Sequence, residues 1–160
     1  MTLRRWALAT QIALLVYFEL VMLVPLGAWN DQPAMRAPFT AVRLFLPAAI
    51  GAGQLLLLFA TIARIRWLMW IGIVADAAWL TAQVYSLWLP YIFGASEERM
   101  RMQRRIFGRT TQWLPSYGNH PAPDAMHIVI QALLLAVLAT TIAFALKRDA
   151  GRSSDARHQI

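Results

Sequence analysis

The chain has 160 residues, enough for one domain. Its composition is 59% hydrophobic and 14% charged, against about 25% charged in soluble domains, which excludes an ordinary water-soluble globule. There is no cysteine, so disulfides, thiolate nucleophiles, cysteine-held zinc and iron–sulfur clusters are excluded as well.

A net charge of +7 would suggest nucleic acid in a soluble protein. Here the basic residues lie between apolar stretches and at the tails. They are better assigned to topology and to anionic lipid headgroups, and no nucleic-acid partner is expected.

Four stretches are apolar enough to cross a hydrocarbon layer of about 30 Å at about 1.5 Å per helical residue. They are 7–27, 39–63, 67–92 and 124–146, so the expected fold is an all-α bundle of four transmembrane helices. The first follows a basic start, MTLRRW, like a signal peptide. Its apolar run is longer than the roughly 7–15 residues of a signal core and holds Glu19, so it reads as an uncleaved span.

The second span carries Pro47 directly before AAIGAGQ (48–54). Pro47 removes the bond to the Arg43 carbonyl and should bend the helix. Ala49 and Gly53 form a small-xxx-small pair that favours close backbone approach.

Between spans 1 and 2, residues 28–38 with Pro33 and Pro38 should be irregular. The loop 93–123 exceeds the roughly 12–15 residues usual for structureless connections. Within it, SEERMRMQRRIF (96–107) has a capping Ser96, acidic Glu97 and Glu98 in the first turn, and Gly108 at the exit. Met100 and Phe107 share one side, as on a helix lying on a membrane surface. The residues from 149 to 160 read as a polar, frayed tail.

Topology follows from charge. Arg4, Arg5, Arg64, Arg66, Lys147, Arg148, Arg152 and Arg157 fall on one side of a four-span chain. Arg36, Arg43, Arg99, Arg101, Arg104, Arg105 and Arg109 fall on the other, eight against seven of the 15 basic residues. The first helix usually dominates, which favours both termini in the cytoplasm and a cell-membrane location, the inner membrane in a bacterium. Trp6, Trp67 and Trp70 mark the inner edges; Trp29, Trp88, Tyr91, Trp113 and Tyr117 mark the outer ones.

Ionisable groups within hydrocarbon usually face a bundle interior or a wet cavity. Glu19 lies roughly 12 Å below the outer surface and Arg43 roughly 6 Å, so the two can pair. Gln83 and Gln131 fall within about a turn of that level, which suggests a shared outer-half cavity. Asp76 and Gln54 lie roughly 13 Å in from the inner side. Asp76 and Gln83 are seven apart and share a helix face. An unpaired buried carboxylate takes up a proton rather than stay charged, which allows a proton-coupled role. The plainer reading is that these groups hydrogen-bond across helices as packing.

The stretch GNHPAPDAMHIVIQ (118–131) sets His120, Asp124 and His127 where the last span begins. Asp124 follows Pro123 and is a natural N-cap, with His127 at the third helical position. No fourth ligand is evident and the spacing is no metal signature, so a helix entry at an outer mouth is expected, with no metal and no cofactor. Phosphate-cradling, G-x-S-x-G and HExxH motifs are absent.

The segment WLPYIFGASEERMRMQRRIFGRTTQWLPSYGNHPAPDAMH (88–127) resembles a pattern in small uncharacterised bacterial four-span membrane proteins: PYxFGAS, FGRT, LPxxGN and PDxxH in that order. The resemblance covers about a quarter of the chain. It implies the four-span architecture and a structured outer loop, and nothing catalytic. Small multidrug transporters also place a carboxylate in a first span, as Glu19 is placed here, but lack a loop as long as 93–123.

The sequence therefore points to a non-enzymatic membrane protein that binds or transports a small amphipathic or cationic molecule. Glu19 and Asp76 would be its charged contacts, Arg43 the counter-ion, and Gln54, Gln83 and Gln131 the wall, with His127 at the mouth. The alternative is a structural or assembly subunit, a homo-oligomer or part of a larger membrane complex, packing through Ala49 and Gly53. A third reading is an intramembrane enzyme acting on lipid through His127 and Asp124.

Overall fold

The computed structural model describes residues 2–31 and 40–157, with backbone alone for 40–44, 46 and 148–157. Pro33, Arg36, Pro38 and the Arg43 side chain lie outside the described residues. Among the described residues there are five helices and no strand.

Helix α1 is Leu3–Leu23. Its buried residues Ala7, Gln11, Leu14, Phe18 and Val21 step by four and three, the stripe of a helix with one side packed. Pro25 follows directly, and Asn30 folds back to satisfy the helix end. Its Nδ2 donates to the Val21 and Val24 carbonyls at 2.7 Å each, and its Oδ1 accepts from the Leu26 amide at 2.8 Å.

Helix α2 is Thr40–Ala63, with Pro47 inside it. It ends where Arg64 takes φ 60° and the Ile65 amide bonds the Ala60 carbonyl at 2.9 Å. Helix α3 then runs Arg66–Phe93, with a π-helical segment Val84–Trp88 inside.

The π segment has a local cause. Pro90 has no amide hydrogen, and its ring crowds the carbonyl four residues back, which is that of Ser86. The Ser86 carbonyl accepts instead from Arg99 Nη2 at 2.7 Å.

Helix α4 is Glu97–Phe107, capped by Ser96 Oγ accepting from the Arg99 amide at 3.3 Å. Helix α5 is Ala125–Arg157. It includes residues 149–157 of the stretch read from sequence as a frayed tail, and 158–160 lie outside the described residues.

Among the described residues, three helices are long and apolar enough to cross a membrane: Leu3–Leu23, Arg66–Phe93 and the Ala125–Lys147 part of α5. The described apolar part of α2 is Pro47–Ala63.

The four long helices form a ring in which α1 touches α2 and α5, and α3 touches both of these. Cross-contacts fix the directions. Gln11 meets Thr61 and Glu19 packs on Gly51, so α1 and α2 are antiparallel. Gln54 meets Asp76 while Leu57 packs on Gly72, so α2 and α3 are antiparallel, and Gln11 meets Thr141 while Tyr17 reaches the Met126 carbonyl, so α1 and α5 are too. The core holds Leu14, Phe18, Leu57, Met69, Met126 and Leu134, among others. Outward faces carry exposed Ile12, Val16, Phe59, Val74 and Leu135, which a lipid solvent accepts.

The loop 93–123 is built rather than slack. The Thr111 amide bonds the Ala28 carbonyl at 2.7 Å, and the Ala125 amide bonds Thr111 at 2.8 Å. Met100 and Ile106 of α4 are buried, and Gln103 Nε2 donates to the Ala122 carbonyl at 3.3 Å. The apolar side of α4 thus packs on its own chain, where the sequence reading had laid it on lipid; Met102 stays exposed. Trp29 against Trp113, Trp88 against Tyr91 and Tyr91 against Tyr117 gather the outer aromatics into edge-to-face contacts.

Candidate functional site

A groove of about 260 Å³ lies between α2 and α3. Leu57 and Gly72 set its width. A Cβ on Gly72 would sit 2.6 Å from Leu57 Cδ1 and 3.1 Å from its Cβ, so a larger residue would require Leu57 to shift. Gly53 lines the same groove, and a Cβ there meets nothing within 4 Å.

At the groove's polar end, Gln54 Nε2 donates to Asp76 Oδ1 at 2.5 Å. Asp76 is 3% exposed and Gln54 4%. Among the described residues nothing bonds Asp76 Oδ2 or Gln54 Oε1. Two buried acceptors left open are costly, at about 1–3 kcal/mol each. Native interiors rarely keep such groups without a reason. The remaining lining is apolar, chiefly Ile50, Leu57, Leu68, Ile71 and Trp79.

The other residues singled out by sequence lie elsewhere. Glu19, half-buried, presses its carboxylate on Gly51 so closely that a Cβ there would overlap it. Gly51 precedes Gln54 by three positions and shares its side of α2. No hydrogen bond or ion pair to Glu19 is found among the described residues. Gln131 Oε1 accepts from Trp88 Nε1 at 2.8 Å, while its Nε2 and the Gln83 Oε1 are buried and without partners among the described residues. The groove is lined by Gln54 and Asp76, and Glu19, Gln83, Gln131 and His127 are not part of its described lining.

At the start of α5 Asp124 caps the helix. Its Oδ1 accepts from the His127 amide at 3.0 Å, and its Oδ2 lies 2.7 Å from His127 Nδ1. Phe107 meets the His127 ring edge-on. His120 is held apart, its Nδ1 2.9 Å from the Tyr91 carbonyl and its ring stacked on Tyr117. No group of three side chains able to hold a metal is found among the described residues.

Sequence reasoning missed a third polar level. Gln11 of α1, fully buried, donates from Nε2 to Thr61 Oγ1 and Thr141 Oγ1 at 3.0 Å each. Thr10 and Thr140 hydroxyls meet beside it at 2.9 Å. The signal was one polar residue per helix at matched depth, the criterion already applied to the outer level. Asn30 was missed too, because its role depends on the chain turning back over α1.

The chain matches no protein-family model, no curated protein and no solved structure.

Proposed function

We propose that the protein is a non-enzymatic, multi-pass membrane protein that binds or moves a small amphipathic or cationic molecule at the α2–α3 groove. The observation that carries this is the Gln54–Asp76 pair. It is buried, joined by one hydrogen bond, and left with two open acceptors at the polar end of an otherwise apolar groove. Such a site suits a ligand with an apolar body and a donor-bearing or cationic head.

In this reading all four long helices span the bilayer. The 24 residues of α2 reach about 36 Å at 1.5 Å each, enough for a hydrocarbon layer of about 30 Å. Both termini and the α2–α3 turn lie in the cytoplasm, and the α4 loop lies outside.

The test is thermal unfolding of the purified protein with octylammonium, an apolar chain with a cationic head. Wild type should be stabilised and Asp76→Asn should not. Equal stabilisation of both would remove the reading.

A second reading, an assembly subunit, is favoured by the exposed Ala48 and Ala52 on α2, a small-xxx-small pair outside the groove lining. It requires co-purification with a membrane partner that Ala48→Leu/Ala52→Leu abolishes, whereas Asp76→Asn leaves it intact. Purification as an unaccompanied monomer in mild detergent counts against it.

A further inference from the structure

We infer that the α2–α3 groove selects a primary-ammonium amphiphile over a quaternary one and admits it sideways from the lipid. The inference rests on the ligand-binding reading above and names the chemistry of the head and its route.

The head follows from the count of donors and acceptors. Gln54 has spent a donor on Asp76 Oδ1, and what the pair leaves open is Asp76 Oδ2 and Gln54 Oε1. Both are acceptors. No described lining residue is basic, so the groove supplies no counter-charge to the carboxylate. A primary ammonium brings one positive charge and three N–H donors, enough to meet both oxygens at once. A quaternary ammonium brings the charge with no donor and leaves both oxygens unmet. Trp79, three residues beyond Asp76 and also in the lining, adds an indole of the kind that attracts cations.

The body follows from the rest of the wall. Ile50, Leu57, Leu68 and Ile71 are apolar, and about 260 Å³ falls just under the roughly 300–1,000 Å³ of ordinary ligand pockets. A short alkyl or single-ring body fits that space.

The route follows from what is open. At the far end of the loop, residues 121–126 are buried and none of them lines the groove. By contrast, Leu56 and Ile71, which line the groove, are 48% and 54% exposed on the outward faces of α2 and α3. An amphiphile dissolved in the bilayer meets the groove there directly.

The experiment titrates the full chain in lipid nanodiscs with octylammonium and with octyltrimethylammonium, subtracting partition into empty nanodiscs. Octylammonium should bind about tenfold or more tighter, the scale expected when buried acceptors gain charged donors. Asp76→Asn should erase that preference. Gly53→Leu fills the groove at a position where an added Cβ meets nothing, and should weaken octylammonium about tenfold or more while the protein unfolds at its usual temperature.

Equal affinity for the two cations overturns the inference and leaves the ligand-binding reading standing. Unchanged octylammonium binding by Gly53→Leu overturns the groove as the place of entry. Binding of neither cation by wild type overturns both readings together. If Asp76→Asn does not fold, the two-cation comparison and Gly53→Leu still decide.

Discussion

Gly94 shows how much a single residue can demand of the chain. It ends α3 with φ 88° and ψ 163°, a region that is essentially glycine-only. A Cβ there would also lie 2.7 Å from Asn119 Nδ2. Gly94→Ala should therefore lower unfolding free energy by about 1–3 kcal/mol, measured by denaturant titration in detergent. A variant within a few tenths of wild type would remove the argument. Asp124 makes a complementary case. Its carboxylate caps α5 and contacts His127, so Asp124→Ala should cost about 1–2 kcal/mol. Asp124→Asn keeps an accepting oxygen and should lose less. The cap was legible because Pro-Asp before an apolar run is a local signal. The Gly94 conformation was not, since nothing local shows that Asn119 returns to its side.

Among the elements, α3 carries a feature that its sequence only half announces. Pro90 was visible, but its consequence depends on where Arg99 falls after the chain turns at Gly94. Arg99→Ala should strip the Ser86 carbonyl of its donor and destabilise by about 1 kcal/mol, since this contact is exposed. Pro90→Ala restores a helical amide at position 90 and should rescue part of that loss, which a double-mutant cycle reads as coupling between two sites. Strict additivity would show that the π segment has another origin. The α1–α2 approach is similar. Glu19 and Gly51 were each noticeable in sequence, yet only packing brings the carboxylate onto the glycine. Gly51→Ala should push aside the Glu19 carboxylate, the flexible end of a side chain, at little cost, and Gly53→Ala, with open space around it, should be as well tolerated. A large loss of stability in either variant would contradict the geometry.

For the whole molecule, topology is the property most open to a clean test. The chain has no cysteine, so single cysteines can be placed without background. Four spans with both termini inside predict that Ser116→Cys is labelled by an impermeant maleimide from outside intact cells. Ala63→Cys, at the α2–α3 turn, should be labelled only after the membrane is opened. The reverse pattern inverts the topology, and labelling of both from one side breaks the four-span count. The antiparallel ring makes this test sharp, because paired contacts (Gln11–Thr61 with Glu19–Gly51, Gln54–Asp76 with Leu57–Gly72, and Gln11–Thr141 with Tyr17–Met126) fix which ends share a side.

Helix positions along the chain were within reach of sequence alone. Burying a helix in oil requires an apolar run of set length, and that requirement is written residue by residue. Helix identity, the capped start of α5 and the short helix in the outer loop were readable for the same reason. Which polar groups meet was decided only by tertiary structure. Matched depth allowed Asp76 to reach Gln54, but equally allowed Gln83 or Gln131 to join a common cavity; instead Gln131 accepts from Trp88, and Gln83 Oε1 is buried with no partner among the described residues. Depth along a helix is a property of sequence; rotation about its axis is settled by what the neighbouring helix presents. That second coordinate brought Gln54 and Asp76 together in the lining of one groove.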